Sequence, residues 1–458
     1  MPIALLSRNR VPGAGRRMPL VAALLAALVA VVMSSSRAEA MRIQEVRSPG
    51  GITAWLVEEH SVPLMAMRFA FDGAGSAQDP AGKEGLANFL SSILDEGAGD
   101  LTAQAFQERM EDLALRMSFN DARDAFYGSF ETLTVNRDAA VQLLALAVNK
   151  PRFDPEAIER MRKQHLAGLA VAARDPSRVA SEKWMATAFA GHPYGRPSSG
   201  TAKSVSEIGR ADLQRFHKRA FARDNVRVVV VGDIDAKTLG GLLDTVFGAL
   251  PAGAQVTPVS MVEPKAAQKL NITDMNVPQS VVRFGLSAMA RKDKDFIPAF
   301  VLNTILGGAA FTSRLYREVR DKRGLAYGVD TSIMPLKSAS VFFGGVATKN
   351  EKVSESLEVI RAELKRIAEE GPTAAELADA KAYLTGSFAL RFDTNANISN
   401  QLLWMQVEGL GTGYVDERNA LIDAVTLDDL ERVAKRLFAN NDLIVTVVGK
   451  PKGLASGG

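Results

Sequence analysis

Arg320 and Tyr327, a guanidinium and a phenol seven residues apart, could act together on a carbonyl group. A guanidinium and a phenol both donate hydrogen bonds, and the guanidinium is permanently charged. Together they suit a peptide carbonyl, or the oxyanion that develops when such a carbonyl is attacked. The charged run 313–323 predicts a helix, with Gly324 placed to stop it in the left-handed conformation that glycine adopts readily. Tyr327 then opens the following strand. A helix end and a strand start can bring both groups to one point. A plainer reading fits the same spacing: an Arg favoured near a helix C-terminus by the macrodipole, and a half-buried strand tyrosine.

A second stretch, residues 82–97, reads Gly-Lys-Glu-Gly-Leu-Ala-Asn-Phe-Leu-Ser-Ser-Ile-Leu-Asp-Glu-Gly. A helix over 84–96 puts Asn88 and Ser92 on one face, with Ser91 close by. Taken alone, this is a core helix with small polar residues. Asp95 and Glu96 are sequence neighbours and do not share a helix face. The chain has only 4 histidines. His60 lies in the turn-like His60-Ser61-Val62-Pro63. His165 lacks a His or Glu one helical turn away, and His192 and His217 are as isolated. Leu306-Gly307-Gly308-Ala309-Ala310 lacks the Gly-Lys-Ser/Thr ending of a phosphate loop.

The elements that must position these groups are organised as a repeat. Asp212–Ala222 aligns with Asp429–Ala439, and Val228–Gly232, which follows the first, aligns with Val445–Gly449, which follows the second. Each unit reads as an amphipathic helix, a polar turn and a buried strand ended by Gly. Phe153-Asp154-Pro155-Glu156 opens a long helix to about Val171, and Pro372-Thr373-Ala374-Ala375-Glu376 opens its counterpart to about Phe388. The strand expected over Phe126–Thr134 corresponds to Ser340–Thr348, and the helix expected over 85–95 to Phe296–Leu306. Helical blocks alternating with antiparallel strands give an α+β fold of two homologous domains. Each is a largely antiparallel sheet covered by helices on one face, and the two form a clamshell. The expected boundaries are 41–250 and 268–458, joined by a linker at 251–267 that contains Pro251, Pro258 and Pro264.

At 458 residues with 47% hydrophobic content, the chain is long enough for more than one core. Residues 1–40 read as a signal peptide. Arg8, Arg10, Arg16 and Arg17 form a basic start, Pro19–Met33 is apolar, and Ala38-Glu39-Ala40 matches a cleavage site. That leader carries a net +4, more than the whole formal charge of +3, so the remaining chain is near −1. Composition then gives no argument for nucleic acid or anionic membranes as partners. No later stretch is long and apolar enough to span a bilayer. With no cysteine, disulfides, thiolate metal sites and cysteine nucleophiles are excluded. An exported chain of this kind is expected in the periplasm.

The chain resembles the M16 (pitrilysin-like) metallopeptidases over essentially all of 41–458. Asp72-Gly73-Ala74-Gly75-Ser76 followed by Gly82–Ala87 is similar to the family's approach to its zinc helix, and His192-Pro193-Tyr194-Gly195 to a common loop. Ser313–Val329 resembles the signature of the family's second domain, in which active members supply an Arg and a Tyr. Those positions are Arg320 and Tyr327. The resemblance places the zinc motif His-x-x-Glu-His at Asn88, Ser91 and Ser92. Amide and hydroxyl oxygens are poor zinc ligands beside imidazole, and a serine is no general base for metal-bound water. The family's further zinc-binding Glu falls in Ala167-Gly168-Leu169, which has no carboxylate. The implied protein is the non-zinc subunit of a heteromeric peptidase. It holds no cofactor itself, binds peptide substrate through Arg320 and Tyr327, and pairs with a zinc-bearing M16 subunit. The alternative is a non-catalytic scaffold or chaperone-like homologue.

Overall fold

The computed structural model describes residues 41–266, 269–440 and 442–454. The leader expected over 1–40 and the junction at 267–268 lie outside the described residues. The first sheet contains β1 (Gln44–Arg47), β2 (Thr53–Glu58), β3 (Leu64–Asp72), β4 (Arg116–Asp121), β5 (Ala125–Leu133) and β6 (Val226–Gly232), in the order β1-β2-β6-β3-β5-β4. The second contains β7 (Leu270–Asp274), β8 (Gln279–Ser287), β9 (Ala326–Pro335), β10 (Ser340–Lys349) and β11 (Ile444–Gly449), in the order β7-β11-β8-β10-β9. With β1 set aside, the two orders correspond strand for strand. In each, one pair is parallel (β2 with β6, β11 with β7), and the next pair inward is antiparallel. The strands of the sequence repeat are β6 and β11, which take equivalent places inside their sheets.

Strand alternation decides which face each sheet buries against its own helices. On β3, Met65, Met67, Phe69 and Phe71 point into the first core. There Phe71 stacks on Phe221 at 4.0 Å, and Phe69 meets Phe247 edge-on at 5.3 Å. On β8, Val282, Phe284 and Leu286 enter the second core. Its Leu427–Phe438 helix buries Leu430, Val433, Ala434, Leu437 and Phe438 and reaches Phe342 with the last ring.

The opposite faces carry small residues around one arginine: Ala66-Arg68-Ala70 on β3 and Val281-Arg283-Gly285 on β8. Each takes a helix from the other half. The Asn395–Val407 helix packs on β3 and β6, and the Pro176–Ala188 helix packs on β8 and β11. Arg68 Nε donates to Asn400 Oδ1 at 2.9 Å, and Arg283 Nε donates to Ser181 Oγ at 3.0 Å. Trp184 Nε1 donates to the Ile444 carbonyl at 2.9 Å. Trp184 lies so close over Gly285 that a Cβ there would sit 2.6 Å from its ring. One face of each sheet thus holds its own helices, as the alternation predicts. The exchanged helix on the other face is an addition the sequence reading did not contain. Residues 251–266 form neither helix nor strand. They are bonded to the first half through Gln78 and Thr257 (2.8 Å) and to the second through Val262 N and Ser338 O (2.8 Å). Among the described residues no helix is long and apolar enough to cross a membrane.

Candidate functional site

Arg320 lies in a helical segment that begins as Arg314–Tyr316 and widens into a π-turn over Arg317–Asp321. Single π-turns inside helices are frequent at functional sites. The segment closes where Gly324, at φ +60°, donates its N–H to the Arg320 carbonyl at 2.8 Å. β9 follows at once, and Tyr327 is its second residue. The Arg320 guanidinium carbon lies 4.6 Å from the Tyr327 ring centroid and 4.9 Å from that of Tyr316. The structure therefore brings Arg320 and Tyr327 together, with the cation sandwiched between two rings. Tyr327 is 83% exposed, not half-buried. Arg320 Nη1 is buried and has no hydrogen-bond partner among the described residues. A shielded donor of this kind is costly unless an acceptor arrives.

The neighbouring charges are already committed. Arg314 is buried, with Nε and Nη2 donating to the two Glu376 oxygens at 2.7 Å and Nη1 donating to Glu363 at 3.3 Å. Glu318 accepts from Lys322 at 2.7 Å and from Arg323 at 2.6 Å. The Lys322 hydrogen bond is the main reason its carboxyl is pulled down to about 2. Burial opposes ionisation of Glu376, but hydrogen bonds from Arg314 and Thr373 outweigh it and hold that carboxyl at about 2. Arg314 and Glu318 thus build the segment, while Arg320, among the described residues, is in no ion pair and lies against its two rings. Tyr316 was not singled out from the sequence. Its place one helical turn before Arg320 was the available signal.

Asn88, Ser91 and Ser92 lie on a helix shorter than the expected 85–95: it spans Leu86–Ser91. It starts where Asp79 accepts from Gly85 N at 2.8 Å and Ala87 N at 3.0 Å. Burial pushes the Asp79 carboxyl up to about 8 despite these bonds. It ends where the Ser91 and Ser92 hydroxyls donate to the carbonyls of Asn88 (2.7 Å) and Phe89 (2.8 Å). Such back-bonding competes with helix propagation. Asn88 Nδ2 donates to Asp121 Oδ1 at 2.7 Å, and burial raises the Asp121 carboxyl. Ala167, Gly168 and Leu169 lie on the Pro155–Ala172 helix. These residues do not fit zinc. Both hydroxyls are spent on backbone carbonyls, the amide is spent on Asp121, and imidazole is absent. Among the described residues no group of three or more His, Asp or Glu side chains could hold a metal ion. His165, His192 and His217 each bond to a backbone carbonyl, and exposed His60 bonds to Asp233 at 2.7 Å.

Comparison with known proteins places this geometry. A family profile described as "Peptidase M16 inactive domain" matches residues 207–384, and one described as "Insulinase (Peptidase family M16)" matches residues 71–202. "Non-peptidase homolog YmxG" of Helicobacter pylori is 27% identical over 430 residues, spanning 93% of this chain and 98% of that protein. An "uncharacterized zinc protease" of Mycobacterium tuberculosis is 26% identical over 408 residues, 88% of this chain and 92% of the relative. A crystal structure of a peptidase M16 inactive domain from Pseudomonas fluorescens superposes with a TM-score of 0.84 at 28% identity. The match covers 91% of this chain and 99% of that one.

Proposed function

Since the chain belongs to the M16 peptidase family and is an inactive homologue within it, we propose that it is the non-zinc subunit of a heteromeric peptidase. Its task is to bind peptide and to donate to the developing oxyanion at a partner's catalytic centre. The partner is an M16 chain carrying His-x-x-Glu-His, which supplies the zinc. The observation that carries this reading is Arg320. Its guanidinium lies against two rings, and among the described residues it belongs to no ion pair and its buried Nη1 has no acceptor. A purely structural arginine in this segment looks like Arg314, with its donors taken up. Asn88, Ser91 and Ser92 support the same division of labour, because their polar atoms serve the fold and offer nothing to a metal. The basic start and cleavage-like Ala38-Glu39-Ala40 of the leader support action in the periplasm.

The test is reconstitution. The purified chain alone cleaves no peptide, and mixing with a zinc-motif M16 chain from the same periplasm gives cleavage. Arg320→Ala in the mixture lowers kcat by about 10²–10³, the usual loss for an oxyanion donor. An unchanged kcat with Arg320→Ala sinks the in-trans role and leaves a scaffold.

A further inference from the structure

A cavity of about 330 Å³ opens beside the Arg320–Tyr327 stack. Ile305, Ala309, Phe311 and Tyr383 form its apolar wall, with Arg317, Asp321 and Asp379 also in its lining. Phe311 and Tyr383 are 69% and 53% exposed, so two large rings are left open to solvent at one spot. The cavity is not a separate feature from Arg320. Phe311 meets Tyr316 edge-on at 5.3 Å, Tyr316 lies against the Arg320 guanidinium, and the guanidinium lies against Tyr327. A chain of ring and cation contacts thus runs from the cavity wall to β9.

β9 is the outermost strand of its sheet. The Thr331 carbonyl is taken by Asn303 Nδ2 at 3.2 Å, and the pairing of β9 with β10 shifts register between Ala326 and Val329. Gly328 has nothing near the place where a Cβ would stand. An edge strand with unpaired backbone groups can accept an added strand, whose side chains then select through pockets. The cavity is at the small end of ligand sites, of the size for one bulky side chain and not a whole cofactor. Its charge is also directional. Arg317 is held by Glu376 at 3.3 Å, whereas Asp321 and Asp379 are in no ion pair among the described residues.

We infer that this cavity is a side-chain subsite for an extended peptide. It receives a bulky apolar residue against Phe311 and Tyr383. Asp321 and Asp379 favour a lysine or arginine close to that residue. The inference rests on the peptide-binding reading above and names the peptide class.

The test uses the whole chain without its leader and a short labelled peptide on a Ser/Thr background with one Phe and one nearby Lys, read by fluorescence anisotropy. Replacing the peptide's Phe by Ala is expected to weaken binding about tenfold, within the range for losing one buried side chain. Replacing its Lys by Glu is expected to weaken binding several-fold, less so at high salt. Thr312→Trp, at an exposed position of the lining, removes the preference for Phe over Ala. Asp379→Lys reverses the preference for Lys over Glu. Arg320→Ala weakens both Phe and Ala peptides and leaves their ratio intact. Equal affinity of the unaltered protein for the Phe and Ala peptides, or binding of neither, overturns the subsite. Because the peptide substitutions are made on the native chain, a misfolded variant cannot mimic that result. The in-trans role is decided separately, by kcat of the Arg320→Ala mixture.

Discussion

The Arg320 guanidinium is a flat cation against the Tyr316 and Tyr327 rings, and an ammonium lacks the planar face and fixed fork of donors that this place uses. Arg320→Lys is therefore expected to resemble Arg320→Ala in the reconstituted enzyme, with kcat well below the native mixture and KM changed less. Recovery of native kcat by Lys would show that charge alone matters there. At the other locus, the triple change Asn88→His, Ser91→Glu and Ser92→His restores the family's letters but not a site. The helix stops at Ser91, and Ala167-Gly168-Leu169 supplies no further carboxylate. The triple variant is expected to lose its zinc on dialysis against a chelator, as read by metal analysis of the dialysed protein. The pair Arg320 and Tyr327 was singled out by the resemblance of Ser313–Val329 to the family signature, and Gly324 with the pattern around it made their closeness legible. Tyr316, Phe311 and the cavity were not. Exposed aromatic rings become a surface only when the fold sets them side by side.

At the scale of elements, one carboxylate holds two features of the second half. Glu376 accepts from Thr373 N at 2.9 Å, which closes the capping box of the Ala374–Gly386 helix, and it also binds the buried Arg314. Glu376→Ala removes both and leaves a buried guanidinium partly unpaired, an expected loss of about 3–5 kcal/mol in urea denaturation at neutral pH. The sign with pH follows from the lowered carboxyl values. Glu318 and Glu376 are held at about 2 in the fold against 4.5 when free. Their contribution is whole above about pH 4.5 and is lost as pH falls toward 2. The stability gap between native and Glu376→Ala protein should narrow across that window. A gap that stays constant down to pH 2 would mean that Glu376 is not ionised in the fold. The repeat made the strands and long helices of both halves legible, because each unit buries a periodic apolar face. The expected 85–95 helix came out short because the Ser91 and Ser92 hydroxyls bond back to its own carbonyls, a local competition that hydrophobic periodicity does not report.

At the scale of the whole molecule, the exchanged helices are the main tie between the halves, and the sequence hid them. Trp184-Met185 and Trp404-Met405 mark the two helices with the same dipeptide, but nothing in either segment says that its sheet belongs to the other half. The physical cause is on the strands. Ala66 and Ala70 flank Arg68, and Gly285 follows Arg283, so a second helix can lie close against each sheet and bond to its arginine. Separating the halves would strip both faces at once and expose Trp184, which is fully buried. Chains of this length often unfold in steps, but this exchange couples the steps. The 3 tryptophans allow a direct measurement. A Trp55→Phe, Trp404→Phe chain reports only Trp184 on the second sheet. A Trp55→Phe, Trp184→Phe chain reports only Trp404, on the helix carried to the first sheet, with its ring against Arg291. Each is read against circular dichroism in urea. The dichroism and fluorescence midpoints should coincide within each chain, because neither sheet keeps its second face without the other half. A Trp404 transition that is complete while half of the helical signal remains would show that the halves unfold independently, and that the exchanged helices do not tie them together.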